Sequence, residues 1–247
     1  MGKTFIDLLN AHNDPRLPFY ATLWEGNIDS KQLQVITSTT LPELQKGLPH
    51  GYDPGTIAEA IPGWDGSMLA SFSEPNTATI ANFAAPSIIL SYSEVEFLLA
   101  EAALRGWGEG SAEEHYHNAI RANMESSLLY PNSTLEPMAI TEAEITTYLD
   151  AHPLTGSDAE QMEQIAVQFY LAHFMYLDFF EAWSNWRRTG VPEMVTINYV
   201  LNTTGGVPLR RLMYSTEEHA LNKDNVNAAI AIQGPDNYLT RVWWDKQ

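Results

Sequence analysis

The feature that most constrains this chain is a recurring start signal for helices. Ser91 with Glu94, Ser111 with Glu114, Thr141 with Glu144 and Ser157 with Glu160 each set a hydroxyl three residues ahead of a carboxylate, at the head of a helix-periodic run. In such a capping box each side chain satisfies an orphan backbone donor of the other residue. One match is weak evidence, but four in succession predict helices over roughly 92–106, 112–129, 142–151 and 158–188. Ser215 with Glu218 repeats the signal before a short helix, and a further one is expected over roughly 224–232, ending at Gly234.

The longest of these segments organises the rest. Ile165, Phe169, Ala172, Tyr176, Phe180, Trp183 and Arg187 recur at three- and four-residue steps, and Phe174, Leu177 and Phe179 widen the apolar surface. A helix apolar over so much of its circumference is buried from several sides. Arg187 and Arg188 stand where the helix dipole favours cations, and Gly190 and Pro192 stop the helix. The expectation is one continuous core helix roughly 45 Å long.

Acidic residues outnumber basic ones by 31 to 13, giving a net charge of −18. Such a chain cannot neutralise a row of phosphates, which excludes nucleic acid, nor dock electrostatically on anionic lipid. Cysteine is absent, so disulfides and thiolate chemistry are excluded. No apolar run is long enough to span a bilayer. No basic segment followed by an apolar one marks a signal peptide, and the opening Met-Gly-Lys-Thr-Phe-Ile is what a chain cut from a longer one would show.

Three regions are expected within a single domain. Residues 1–90 are loop-rich, with a short helix near 4–10, many prolines, and short strands or extended segments at Phe19–Trp24 and Ser87–Leu90. Residues 91–190 form the helical core. Residues 191–247 hold loops, a short strand or extended segment at Met194–Leu201, the two short helices and an aromatic tail at Asn237–Asp245 expected to be packed down. Leu99, Ala100, Ala103, Gly106 or Gly108, Ala112, Tyr116 and Ala119 fall near the small and aromatic positions of a tetratricopeptide hairpin. Such a hairpin must stack on other helices to bury its faces.

Catalytic and metal chemistry find little support. His115 and His117, two apart on a helix, face away from each other and cannot chelate one ion. No phosphate-binding Gly-rich loop or nucleophile elbow is present. The best carboxylate pair is Glu181 with Asp178, whose spacing suits ion pairing with Arg187 or Arg188 better than glycoside hydrolysis. No catalytic residue, metal or cofactor is therefore assigned. Trp24, Tyr52, Trp64 and Trp107 differ in kind: aromatics in polar, Gly-rich loops suit the flat apolar face of a sugar ring, so these four are the candidate glycan-binding residues. Trp183, Trp186, Trp243 and Trp244 are read as structural.

The chain also resembles a known family. Leu-Asn-Ala-His-Asn-Asp-Pro-Arg-Leu-Pro at 9–18, Ser-Tyr-Ser-Glu-Val-Glu-Phe-Leu-Leu-Ala-Glu-Ala-Ala-Leu-Arg-Gly-Trp at 91–107 and Glu-Ala-Trp-Ser-Asn-Trp-Arg-Arg-Thr-Gly-Val-Pro at 181–192 carry the likeness. It continues through Leu-Arg-Arg-Leu-Met-Tyr at 209–214, Asn-Lys-Asp-Asn-Val at 222–226 and Thr-Arg-Val-Trp-Trp-Asp at 240–245. In order and spacing these are similar to the C-terminal half of SusD/RagB-type outer-membrane lipoproteins of the starch-utilisation-associated branch. Ser215 departs from the proline usual there. The resemblance implies a mainly α fold, an α-α superhelix with tetratricopeptide-like helical hairpins, long loops and a few short strands. It implies a non-enzymatic protein on the outer face of the Bacteroidetes outer membrane, capturing oligosaccharides for a SusC-like TonB-dependent transporter. Its membrane attachment would be an N-terminal lipid anchor absent from this chain. The alternatives are a tetratricopeptide-like protein-interaction scaffold, with the loop aromatics buried, and a glycoside hydrolase.

Overall fold

The computed structural model describes residues 1–25, 37–195 and 201–245. In chain order its elements are α1 (Lys3–Ala11), α2 (Leu17–Tyr20), β1 (Ala21–Glu25), β2 (Thr37–Thr39), α3 (Ile57–Ala60), β3 (Glu74–Pro75), α4 (Tyr92–Leu104), α5 (Ala112–Glu125), α6 (Glu142–Ala151), α7 (Asp158–His173), α8 (Phe179–Thr189), α9 (Thr216–Leu221) and α10 (Lys223–Gln233). The fold is mainly helical, as expected.

The caps are in place. The side chains of Ser91, Ser111, Thr141, Ser157 and Ser215 each accept a hydrogen bond from the backbone N–H three residues on. At Thr141 and Ser157 the glutamate reaches back and completes the box.

The continuous helix over 158–188 does not form. It is two helices, of 16 and 11 residues, hinged at Leu177, whose φ of +53° lies in the left-handed region. The cause is a cap inside the run: the Asp178 carboxylate accepts from the Glu181 N–H at 3.0 Å and opens α8. Asp178 and Glu181 thus repeat the spacing that starts the other helices, with aspartate in place of serine. The apolar stripe ends there as well, since Phe180 is 73% exposed.

α4 and α5 form the expected hairpin, and Ala100, Ala119 and Tyr116 are buried in the core they share with α6 and α7. Leu99, one of the hairpin positions, faces out. Phe97, Ile120, Met124, Ile145, Tyr148, Ile165 and Phe169 complete that core. A second core gathers Phe5, Ile6 and Leu9 of α1 with Leu17, Phe19, Tyr20, Ile80, Tyr130, Leu171 and Met175. α7 serves both, giving Ile165, Phe169 and Ala172 to one and Leu171 to the other.

A three-stranded antiparallel sheet in the order β2-β1-β3 closes the N-terminal region. Leu23 pairs with Thr39, and Thr22 with Glu74. The strand expected at 19–24 is shifted, because Pro18 opens the short α2, which ends at Tyr20. Of the two alternatives for Ser87–Leu90, a strand is not formed. Of the extended segment expected at 194–201, residues 196–200 lie outside the described residues. In the tail, Asp245 is buried and pairs with Arg210 and Arg241, whereas Trp243, expected to be packed, is 86% exposed.

Between the cores lies a fully buried polar knot. Arg16, with no exposed surface, forks onto Asp14 with Nε 2.8 Å from Oδ1 and Nη2 2.5 Å from Oδ2. It also donates to Asn123 of α5 and Gln168 of α7, each at 2.8 Å, while the Tyr148 hydroxyl of α6 donates to Asp14 at 3.0 Å. Removing one member of a buried, hydrogen-bonded ion pair typically costs about 3–5 kcal/mol. Arg16→Ala is therefore expected to lower the unfolding free energy by about that amount, measured by denaturant titration.

At the α7–α8 elbow, His173 is buried and its Nδ1–H donates to the Phe169 carbonyl at 2.8 Å. Its Nε2 has no hydrogen-bond partner among the described residues and lies 4.0 Å from the Glu94 carboxylate. Burial lowers the His173 pKa, only partly offset by the Phe169 carbonyl and the Asp178 charge. The folded state thus resists a proton that the unfolded chain accepts near pH 6.5, so stability falls as pH drops below about 6.5. Glu94 acts in the opposite sense, raised by burial and then by Glu181 and Asp178. His173→Gln isolates the histidine share: its loss of stability between pH 7.5 and 5.5 should be smaller than that of the parent chain.

Candidate functional site

The loop aromatics are held by short polar turns. Asp53 Oδ1 accepts from the backbone N–H groups of Gly55 and Thr56, each at 2.8 Å, and from the Thr56 hydroxyl at 2.9 Å. These bonds, the Thr56 hydroxyl first, hold the Asp53 carboxyl below its usual range. They form a turn that leads directly into α3, with half-buried Tyr52 just before it. Past α3, Asp65 caps the 3₁₀ turn Gly66–Ser71 by accepting from the Ser67 N–H at 2.9 Å. Trp64 stands between the two turns, half-buried, its ring 6.3 Å from that of buried Phe72. Lys46 Nζ sits 4.7 Å from the Phe72 ring centroid.

β1 packs against the 66–71 turn. The backbone of Trp24 pairs with that of Ser38 on this strand, and the Trp24 side chain lies outside the described residues. Trp107 belongs elsewhere. It lies in the turn between α4 and α5, is 77% exposed, and has the Arg105 guanidinium 5.2 Å from its ring centroid. Among the described residues no ring contact links Trp107 to Tyr52 or Trp64. Trp64 in turn is placed beside Phe72, and among the described residues no ring contact joins it to Tyr52.

Two adjoining cavities flank α1, of about 750 and 710 Å³. They meet at His12 and His152, the residues that close α1 and α6. His152 Nδ1–H donates to the Tyr148 carbonyl at 2.7 Å, which leaves Nε2 to accept from His12 Nδ1–H at 3.0 Å. Burial, followed by the His152 charge, lowers the His12 pKa. A third cavity, of about 350 Å³, lies along α8 between Trp183, Trp186, Phe179 and His50.

The carboxylate pair considered for catalysis has a structural role. Asp178 is used as a helix cap, and the arginines bind elsewhere. Arg188 forks onto Glu101 of α4 at 2.5 and 2.6 Å. Burial raises the Glu101 pKa, but the hydrogen bonds and charges of Arg188 and Arg105 more than offset it, so the carboxyl titrates low. Arg187 lies between two indoles, 3.7 Å from the Trp183 ring centroid and 4.6 Å from that of Trp244. Among the described residues no group of His, Asp or Glu could hold a metal ion.

The sequence reading missed the Arg16 knot and the His12–His152 pair. An arginine inside the short run Asn13-Asp14-Pro15-Arg16-Leu17-Pro18 was the available signal. A charged residue in a proline-punctuated turn between apolar segments must find partners or solvent, and its partner stands two residues away.

With this geometry in view, comparison with known proteins is decisive on one point. The SusD-like family described as "starch-binding associating with outer membrane" matches residues 1–215. The chain belongs to the SusD-like family. A solved structure of a chitin-binding protein matches all of the chain at 29% identity with a TM-score of 0.77, covering 50% of its own length. A SusD homolog from Bacteroides fragilis matches at 27% identity over the full chain and 52% of its own, also with a TM-score of 0.77. A chitin-binding SusD homolog from Flavobacterium johnsoniae shares the fold at 22% identity and a TM-score of 0.68, again over the full chain and 49% of its own. No curated protein matches the chain. This SusD-like chain spans about half the length of the structures it resembles. None of its helices among the described residues is long and apolar enough to cross a membrane.

The exposures divide the tryptophans into accessible and shielded sets. Acrylamide should quench Trp107 and Trp243 readily and Trp186, which is 6% exposed, poorly. Trp107→Phe should therefore lower the quenchable fraction of the emission, whereas Trp186→Phe should raise it.

Proposed function

We propose that this chain is part of a cell-surface oligosaccharide-binding protein of the outer membrane, which captures glycans and presents them to a SusC-like TonB-dependent transporter. The observation that carries the reading is the region around α3, where polar turns on either side fix Tyr52 and Trp64 in loops without burying either ring. A rigid, half-exposed aromatic offers a sugar a stacking face with little conformational entropy left to lose. The neighbouring amides, carboxylates and hydroxyls of these loops suit a rim of sugar hydroxyls. Trp107 provides a separate stacking ring at the α4–α5 turn; the side chain of Trp24, the fourth candidate, lies outside the described residues.

Family membership and the likeness to a chitin-binding protein support a carbohydrate ligand over a peptide. A protein-interaction scaffold would have its loop aromatics buried as pins, and here Tyr52 and Trp64 are half-buried and Trp107 is exposed. Binding is favoured over hydrolysis because Asp178 is committed to capping α8. Attachment to the outer membrane is proposed through a lipid anchor outside this chain, and the regions 1–90, 91–190 and 191–247 act as binding loops, frame and closing segment of one domain.

Calorimetric titration of the full-length protein with a panel of oligosaccharides tests the reading. Trp64→Ala should weaken binding about ten-fold, as expected for the loss of one stacked ring, with the far-ultraviolet circular dichroism unchanged. Absence of heat with every glycan would refute the proposal.

A further inference from the structure

Two helices end side by side without the cation that their dipoles favour. α1 and α6 stop at His12 and His152, whose rings touch at 3.0 Å, and neither helix has a basic residue in its last turn. Each C-terminus carries the equivalent of about half a negative charge. The cavities of about 750 and 710 Å³ meet at this point, and among the described residues no lysine or arginine lines either of them. The smaller cavity also holds a buried group without a partner. Tyr116 is 2% exposed, and its hydroxyl makes no hydrogen bond among the described residues. That oxygen is not sealed in the core as Trp186 Nε1 is, and Tyr116 stands in the cavity wall. Such unpartnered groups are uncommon and call for an explanation.

The side-chain donors of this wall are already used. Gln164 ties both ends of its amide to the Thr155 backbone, and Gln168 ties its own to Arg16 and Tyr148. His152 Nδ1–H donates to the Tyr148 carbonyl and His12 Nδ1–H to His152, which leaves His12 Nε2 a lone pair. Glu160 caps α7, whereas the Glu163 carboxylate has no ion-pair partner among the described residues. Only the Tyr116 and Thr155 hydroxyls can still donate, and each accepts as well. Leu8, Pro153 and Val167 form an apolar side.

We propose that this cavity is a binding site for the ammonium group of an aliphatic amine. The site is separate from the loops around α3 and does not rest on the glycan reading. An ammonium has three N–H donors, no acceptor and a positive charge. The Tyr116 oxygen, His12 Nε2 and the Glu163 carboxylate match those donors in number, and Glu163 with the two helix ends matches the charge. The alkyl stem replaces water against Leu8, Pro153 and Val167. An anion would meet only negative potential here, and a sugar would bring hydroxyls that need donors this wall has largely used. A metal ion is not the occupant, since no group of His, Asp or Glu among the described residues could hold one.

The test is calorimetry of the full-length protein at physiological ionic strength, which screens surface charge, with n-pentylamine and with 1-pentanol, its neutral counterpart. Pentylamine should bind at least ten-fold tighter. Glu163→Gln should weaken it about ten-fold, the worth of one charge-assisted hydrogen bond, and Tyr116→Phe about five-fold. Tyr116→Phe should leave the thermal midpoint unchanged, because the hydroxyl it removes pairs with nothing in the folded chain. Nα-acetyl-lysine amide distinguishes the sources of the cation: binding as tight as that of pentylamine assigns the site to lysine side chains, and exclusion assigns it to free amines. Equal affinity for amine and alcohol, amine binding that survives both substitutions, or no amine binding overturns the site, and none of these results bears on glycan binding.

Discussion

The fold depends on one buried ion pair. Arg16 and Asp14 sit where the turn after α1 meets α5, α6 and α7, and neither is exposed to water. Charges without water must be matched in full, and these are: Asn123, Gln168 and Tyr148 supply the remaining hydrogen bonds. The match is directional, so the guanidinium fork fixes the N-terminal turn against three helices at once. Both hydrophobic cores meet this knot from either side. Apolar packing supplies the bulk of the stability, and the knot sets which faces come together.

The frame in turn positions the loops. With α1 and α2 tied down, β1 leaves the helical region in a fixed direction and pairs with β2 and β3, whose ends bracket the segment carrying Tyr52 and Trp64. Asp53 and Asp65 then stiffen that segment locally. On the far side, Arg188 joins α8 to α4 through Glu101, and Arg187 fills the space between Trp183 and Trp244. The Arg-Arg-Thr-Gly end of α8 is therefore architectural. A SusD-like protein built this way can vary the loop chemistry without disturbing what holds the loops.

How much of this was legible in the sequence follows from the range of each interaction. Helix starts are local, and the Ser-x-x-Glu and Thr-x-x-Glu spacings located them to within a residue or two. The break at Leu177 was equally local, but its Asp178–Glu181 cap was hidden inside a dense apolar run, where period outweighed capping. The aromatic candidates could be named but not grouped. Trp64 meets Phe72 across the 66–71 turn while Trp107 stands alone with Arg105 in the α4–α5 turn, surroundings that depend on how the loops pack. The partners of Arg16 lie up to 152 residues away, and the wall of the α8 cavity joins His50 to Trp186. No local pattern encodes such encounters.

The central claim is that a rigid helical frame holds a loop surface on which glycan is bound. Hydrogen exchange of the full-length protein, with and without a saturating oligosaccharide, tests it most directly. Protection should increase at residues 48–75, while the amides of α5 and α7 exchange as before. Protection that increases in α5–α7 with the loops unchanged would contradict the account.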